Sequence, residues 1–285
     1  MTTFEALDRL RDGFEGTAFR PQARCPVCGA DSDVYDRATN IHPEHRIQFD
    51  LRVCRSCAHG WIDPLPVQAL LSHLYGRGSH SVMGVDLQPK RALSPPERLV
   101  QQAAAGLKPG RYLEIGVGSG LLYRAFVEGG WATAGVEPAG CGVGLPGVVR
   151  SVEQIPAASR FDLIVAMDVL EHIADPLTQV SELRRLAAPN SRFFAAFPHR
   201  RSLRAWWMKG RWRMVRPLGH LHFFSRGSAR LLLQQAGYRL DEVTSTDLME
   251  LRQVCGPRSA LLFAGQCLGL GDQLVVFATA TPASQ

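Results

Sequence analysis

The sequence lacks any apolar run approaching the roughly 18–20 residues that a membrane-spanning helix needs, so no transmembrane segment is expected. Residues 1–20 mix acidic and basic side chains with apolar ones and lack an uninterrupted apolar stretch. A secretory signal is therefore not expected, and the cytoplasm is the expected location. Internal repeats and low-complexity tracts are also missing, which argues against solenoids and disordered spacers. Neither sign of charge dominates strongly: the net charge is +6 over 285 residues. That balance permits contact with phosphates or an acidic surface without demanding it. What is present, 46% hydrophobic and 20% charged residues, is the balance of a globular chain that forms a core.

The seven cysteines are unevenly spread. Cys25/Cys28 and Cys54/Cys57 form two C-x-x-C pairs, while Cys141, Cys255 and Cys267 are scattered. In a cytoplasmic chain such pairs suggest a metal before a disulfide. Cys25-Pro-Val-Cys28-Gly has the form of a knuckle, whose short loop turns two thiolates toward one ion. Cys54-Arg-Ser-Cys57 supplies the other half. Four thiolates in a tetrahedron suit Zn2+; an iron–sulfur site and a redox pair are the alternatives, and His59 is a less favoured ligand. Residues 23–66 are expected to form a small β-rich zinc ribbon, either structural alone or also a wall of the substrate cleft.

Phe4, Leu7, Leu10 and Phe14 stand at helical spacing, which predicts an N-terminal helix over residues 1–22. Residues 67–96 read as a short helix, over 67–75, followed by a glycine- and proline-marked linker. Residues 97–285 then alternate between strands and helices. Helices are expected at 97–106, 119–129, Pro176–Ala187 and between Ser225 and Gly237. Strands are expected at Arg111–Ile115, Thr133–Val136, Val148–Ser151, Phe161–Met167, Arg192–Phe197, Arg239–Thr246 and Gln273–Thr279. This order predicts an α/β fold: a Rossmann-like, largely parallel sheet with helices on both faces, preceded by the ribbon.

Residues 113–120 read Leu-Glu-Ile-Gly-Val-Gly-Ser-Gly at the end of the first of these strands. Gly116, Gly118 and Gly120 remove side chains where backbone must approach a ligand. The first strand-to-helix crevice of an open α/β sheet is where nucleoside cofactors bind, and the glycines alone would also serve a dinucleotide. Two acids favour S-adenosyl-L-methionine. Glu114 can hold the ammonium of its methionine part, directly or through water. Glu137 ends the next strand about 20 residues on and can accept both ribose hydroxyls, although dinucleotide folds share that acid.

Leu113–Gly120 resembles motif I of the class I S-adenosylmethionine-dependent methyltransferases. Phe161–Pro176 (FDLIVAMDVLEHIADP) is similar to their fourth-strand motif, and His220–Ser225 (HLHFFS) resembles the late motif of a small-molecule group. Residues 24–66 resemble the zinc ribbon that some of that group carry. The likeness implies cofactor contacts from Glu114, Gly116, Gly118, Gly120, Glu137 and Pro138. It also implies that Val152 or Glu153 flanks the adenine and that Met167 and Asp168 line the crevice near the sulfonium. The family usually has a full helix after Glu137; here residues 138–147 hold four glycines and two prolines, which disfavour one. The late segment also resembles the His-Glu-His-Phe stretch of sugar C-methyltransferases, with Leu221 in place of the acid and Gly219 in place of a tyrosine.

Methyl transfer to a hydroxyl, amine or carbon acid also releases a proton, so a general base is sought. His172, His220 and His222 are the leading candidates, with His199 behind them. If residues 220–224 are extended, His220 and His222 share a face with Phe224. Residues 199–218 are expected to form a lid, in which seven Arg and Lys residues interleave with Trp206, Trp207 and Trp212. Three ligands compete for it: an acidic small-molecule substrate, RNA, and an anionic membrane. The favoured reading is a methyltransferase acting on a small molecule, such as a sugar or natural-product intermediate. An RNA methyltransferase with a zinc ribbon is the alternative, supported by a pI of 9.1. Against it, Asp168–His172 lacks the Asn/Asp-Pro-Pro-aromatic stretch common in base-amine enzymes. A non-catalytic zinc-ribbon binding protein is the third reading.

Overall fold

The computed structural model describes residues 17–41, 46–76, 92–138, 142, 144–247, 265 and 268–282. The expected N-terminal helix falls largely outside them. Its described end is extended instead: β1 (Phe19–Arg20) pairs with a strand at Leu65–Pro66, and the Phe19 ring lies 6.2 Å from that of Phe49. The backbone pairing and the ring contact hold these two residues out of a helix.

A hairpin follows, with β2 (Ser32–Ile41) antiparallel to β3 (Arg46–Cys54), and β4 (Gly60–Asp63) on the far side of β3. Phe49 and Leu51 alternate along β3 onto its buried face, as a half-buried strand requires. The chain then passes through β5 (Leu65–Pro66) and α1 (Gln68–Gly76). The linker expected after α1 lies mostly outside the described residues. Where description resumes, α2 (Pro95–Ala104) starts two residues before the expected position. Ser94 and Glu97 form a reciprocal capping box, and a proline occupies the first turn where its missing N–H costs nothing.

The α/β portion continues with β6 (Arg111–Ile115), α3 (Leu121–Glu128), β7 (Ala132–Val136), β8 (Val148–Val149) and β9 (Phe161–Met167). After it come α4 (Pro176–Leu186), β10 (Ala187–Pro198), α5 (Leu203–Met208), β11 (His222–Phe223), α6 (Arg226–Gln235), β12 (Tyr238–Thr246) and β13 (Gln273–Ala280). Among the described residues, seven of these strands form one sheet in the order β12-β13-β10-β9-β6-β7-β8. β8 through β10 run parallel, and β13 and β12 add an antiparallel edge.

The run Phe161–Met167 shows why this sheet is covered on both faces. Ile164 and Ala166 pack with Leu183 of α4 and Leu232 of α6 on one side. Leu163 and Val165 pack with Val100 of α2 and Phe126 of α3 on the other. All four strand side chains are fully buried, and each such aliphatic group contributes roughly 1.5–3 kcal/mol, less for alanine.

β11 does not join that sheet. It pairs antiparallel with β4, setting His222 opposite Trp61 and Phe223 opposite Gly60, and so completes a four-stranded sheet with β2 and β3. The Leu221 carbonyl accepts the Ile62 amide at 3.1 Å, and the Ser225 hydroxyl donates to the Cys57 carbonyl at 2.6 Å. Trp61 and Leu65 lie in the same continuous core as Ile164 and Leu232. The cysteine-bearing residues and the α/β portion are therefore joined by a shared sheet and a shared core.

Candidate functional site

The Leu113–Gly120 stretch bends sharply at the carboxyl end of β6. Gly116 has φ of +75°, and a Cβ there would come within 2.5 Å of Val169 Cγ2. Gly118 is also left-handed, but a Cβ there would meet only the Gly116 carbonyl oxygen at 3.8 Å, so the space over it is open. The buried Glu114 accepts a hydrogen bond from the Tyr112 hydroxyl at 2.7 Å. Burial, and then the neighbouring Glu114 charge, raise the Tyr112 hydroxyl well above its usual range, so it stays a donor. Glu137 follows directly on β7 and accepts the Gly118 amide at 2.6 Å, which ties its carboxylate to the glycine turn. The irregular segment beyond it folds back, with the Gly142 amide donating to the Gly118 carbonyl at 2.6 Å. Pro138 is exposed, and its carbonyl accepts from Arg150 at 2.8 Å. Val152 and Glu153 sit in a single 3-10 turn, where the Ser151 hydroxyl holds the Glu153 carboxyl below its usual range.

Beside this crevice, β9 ends at the buried Met167, followed by Asp168 at φ of +54°. A non-glycine residue in that region is strained, and such strain clusters at functional sites. The conformation is held by the Asp168 amide donating to the Ala196 carbonyl at 3.0 Å and by Gln273 Nε2 donating to the Asp168 carboxylate.

Three residues sequence reasoning treated separately or passed over converge next to Asp168. His172 and His220 meet edge to face with ring centroids 4.9 Å apart, and Glu171 lies against both. Burial pushes His172 down to about 4 and His220 well below its ordinary value, so both rings are neutral near pH 7. Glu171 is the residue that sequence reasoning missed. The signal was its place in the Asp168–His172 motif, but a glutamate beside a histidine reads locally as a solvated turn.

The expected common face of His220 and His222 is not formed. His222 lies in β11 and turns to His59, with His59 Nε2 and His222 Nδ1 at 3.1 Å. Both rings are fully buried, and His59 Nδ1 lies 3.4 Å from the Ser228 hydroxyl. Sheet pairing with Trp61 fixes this orientation. His199 is also buried, its Nδ1 donating to the Gly271 carbonyl at 2.9 Å. Burial pushes His199 down to about 4, against the opposing pull of that carbonyl. The unfolded chain binds this proton near pH 6.5, so His199 makes the fold lose stability as pH falls from about 6.5 to 4. The expected loss is roughly 3 kcal/mol. In urea melts, a His199→Gln variant should show a flatter stability profile than the wild type over that range; an unchanged slope would refute the assignment.

The four ribbon cysteines converge. Cys25 and Cys57 sulfurs lie 3.7 Å apart, and Cys28 lies 3.5 Å from both Cys54 and Cys57. A tetrahedron with metal–sulfur bonds of about 2.3 Å places sulfurs about 3.8 Å apart, so the donor set fits one such ion. The hydrogen bond to Cys25 and burial push the Cys57 thiol far up, a crowding that a bound cation would relieve.

The expected lid segment is anchored at both ends. Buried Asp272 accepts from Ser202 Oγ at 3.1 Å, Arg204 Nη1 at 2.5 Å and Trp212 Nε1 at 3.2 Å. Gly210 donates to Asp36 at 2.8 Å, and the Arg200 guanidinium lies 4.3 Å over the Tyr35 ring. Trp212 is buried, whereas Trp206 and Trp207 are 68% and 70% exposed.

A family described as a methyltransferase domain matches residues 71–243, more than half of the chain. A ubiquinone biosynthesis O-methyltransferase of Histophilus somni is 30% identical over 140 residues, covering 42% of this chain and 58% of that protein. The protein of the same description from a Methylobacterium species is 34% identical over 97 residues, covering 30% of this chain and 39% of its own length. This chain thus spans less than two thirds of either relative. A solved structure of the Burkholderia thailandensis 1,6-didemethyltoxoflavin-N1-methyltransferase, with bound 1,6-didemethyltoxoflavin and S-adenosylhomocysteine, is similar in fold. Its TM-score is 0.53 at 18% identity, covering 80% of this chain and 97% of that one.

Proposed function

This chain belongs to the methyltransferase-domain family, and on that premise we propose that it methylates a small molecule, a sugar or natural-product intermediate, from S-adenosyl-L-methionine. The observation that carries the reading is the open left-handed loop at Gly118, with Glu137 bonded to its amide and Glu114 buried in the strand that leads into it. When bound, the cofactor supplies an electrophilic methyl group on a sulfonium. Glu114 and the loop glycines hold its methionine part, and Glu137 and Pro138 border its ribose. Val152 and Glu153 flank the adenine. Met167 and Asp168 line the crevice, and the strained turn at Asp168 fixes where they point.

Catalysis is then largely alignment of acceptor and methyl donor, with removal of the acceptor's proton as the added demand. His172 and His220 serve the acceptor, being neutral and adjacent to that turn. His222 is engaged by His59, which supports a positioning role for it. The four cysteines hold Zn2+. The basic residues of 199–218 favour an acidic acceptor. The exposed Trp206 and Trp207 beside Lys209 and Arg211 favour one second reading, an RNA acceptor stacked on those rings.

S-Adenosylmethionine at about 100 times its Kd should stabilise the protein by about 2.7 kcal/mol, raising Tm by about 5–10 °C. No shift, together with no heat of binding, would overturn both readings. Methyl transfer from labelled cofactor to acidic small metabolites would support the first, and steeply salt-dependent RNA retention the second.

A further inference from the structure

The Glu171 side chain is fully buried, and among the described residues no other residue gives either carboxylate oxygen a hydrogen bond. One ligating atom from each of Glu171, His172 and His220 lies within 4.8 Å of the other two. Both imidazoles have Nδ1 against a backbone carbonyl: His172 on Gly219 at 2.7 Å and His220 on Met214 at 2.7 Å. A carbonyl only accepts, so each Nδ1 carries the ring proton and each Nε2 presents a lone pair. With both Nδ1 atoms protonated, the lone pairs these side chains can offer are those of the two Nε2 atoms and of the Glu171 carboxylate. Such a set is completed by a proton or by a cation.

We propose that Glu171, His172 and His220 hold a divalent first-row metal ion, separate from the zinc of the four cysteines. A carbonyl behind each ligating histidine is the usual outer support of a metal-bound imidazole, fixing its tautomer and its aim. Two nitrogens and one carboxylate suit Mn2+, Fe2+, Co2+ or Zn2+ better than Mg2+ or Ca2+. Asp168 adds a second negative charge close enough to raise the Glu171 carboxyl, after burial itself; Arg216 faces both imidazoles and opposes a cation. The two carboxylates outnumber that one guanidinium. Three protein ligands leave coordination positions open, and His172 is only partly buried. The site therefore takes acceptors that offer a hydroxyl or phenol oxygen. This acceptor class rests on the methyl-transfer reading; the metal site itself does not. On this inference the two imidazoles serve the acceptor through the cation rather than by taking its proton themselves.

The test uses the full chain with its cysteine site loaded with zinc. Mn2+ is titrated and counted by electron paramagnetic resonance and by equilibrium dialysis with elemental analysis, and the thermal shift by S-adenosylmethionine is measured on the same preparation. One Mn2+ per chain beyond the zinc is expected. Glu171→Gln and His220→Asn should each weaken it at least 100-fold while retaining zinc. If a variant fails to fold, Co2+ added to the wild type decides: a weak, sulfur-free spectrum is expected in addition to filled cysteines. Absence of Mn2+ and Co2+ binding at 1 mM on the order of a weak site's Kd, or binding that the variants leave unchanged, overturns the proposal and leaves a proton shared among the three groups. A normal cofactor shift with no Mn2+ would sink the metal site alone. Bound Mn2+ with no cofactor shift would sink the methyl-transfer reading alone.

Discussion

Cys57→Ser, or a strong chelator acting on the zinc proposed for the four cysteines, is expected to disorder more than the cysteine-bearing residues. Structural zinc in small modules is worth about 10–16 kcal/mol of apparent binding energy, comparable to the whole stability of a domain. A ribbon appended by a linker would absorb that loss alone. Here β4 pairs with β11, and the Cys57 carbonyl accepts from Ser225, the N-cap of α6. Losing the cysteine site removes the partner strand of His222 and Phe223. It also removes the contact that sets the start of α6. Leu221, whose amide donates to the Glu171 carbonyl at 2.7 Å, connects the same stretch to the His172–His220 cluster. Hydrogen exchange should show amides of residues 221–225 losing protection together with those of residues 46–63, and the cofactor-dependent Tm shift should fall. If chelation freed only the residues before 67 and left 221–225 protected, this coupling would be wrong.

The second large effect is expected at Gly116. Gly116→Ala places a Cβ 2.5 Å from Val169 Cγ2 on a backbone at φ of +75°. The left-handed conformation alone costs a residue with a Cβ roughly 1–2 kcal/mol. Relief of the overlap must move either the loop or Val169, which stands between Asp168 and Glu171. Cofactor affinity should drop at least about 100-fold, close to 3 kcal/mol, in isothermal calorimetry. The apoprotein should remain folded, because the central strands β6 and β9 are buried on both faces independently of this turn. Affinity within about threefold of wild type would show that the loop does not bind the cofactor as proposed.

Much of the α/β architecture was legible because its signals are local. Arg111–Ile115 and Phe161–Met167 are short, mainly apolar segments bounded by turn residues, and both strands form over those bounds. Asp175 and Ser225 each announced a helix start by their side chains, and both cap the next turn. The late histidines were not legible in the same way. Whether His220 and His222 share a face depends on where the extended backbone begins. The structure starts that strand at His222, after a turn in which the Gly219 and His220 amides both donate to the Arg216 carbonyl. The partner that decides this is β4, and nothing near residue 222 in the chain points to it. Glu171 was missed for a related reason: its burial comes from elements far away in sequence. The short β1 likewise owes its form to Leu65 and Pro66, not to its own residues.

The pairing of β4 with β11 also has a consequence in time. His59 and His222 are 163 residues apart. At about 5–20 residues per second, a ribosome needs roughly 10–30 s to deliver the second after the first. Throughout that interval β4 is a bare strand edge on a nascent chain, the kind of edge that invites pairing with the wrong neighbour. The four cysteines of the proposed zinc site, Cys25, Cys28, Cys54 and Cys57, are synthesised before the gap opens, so metal capture there can hold β3 and β4 in register while the edge waits. Metal supply during translation, rather than in the finished protein, should therefore govern how much soluble product a cell obtains.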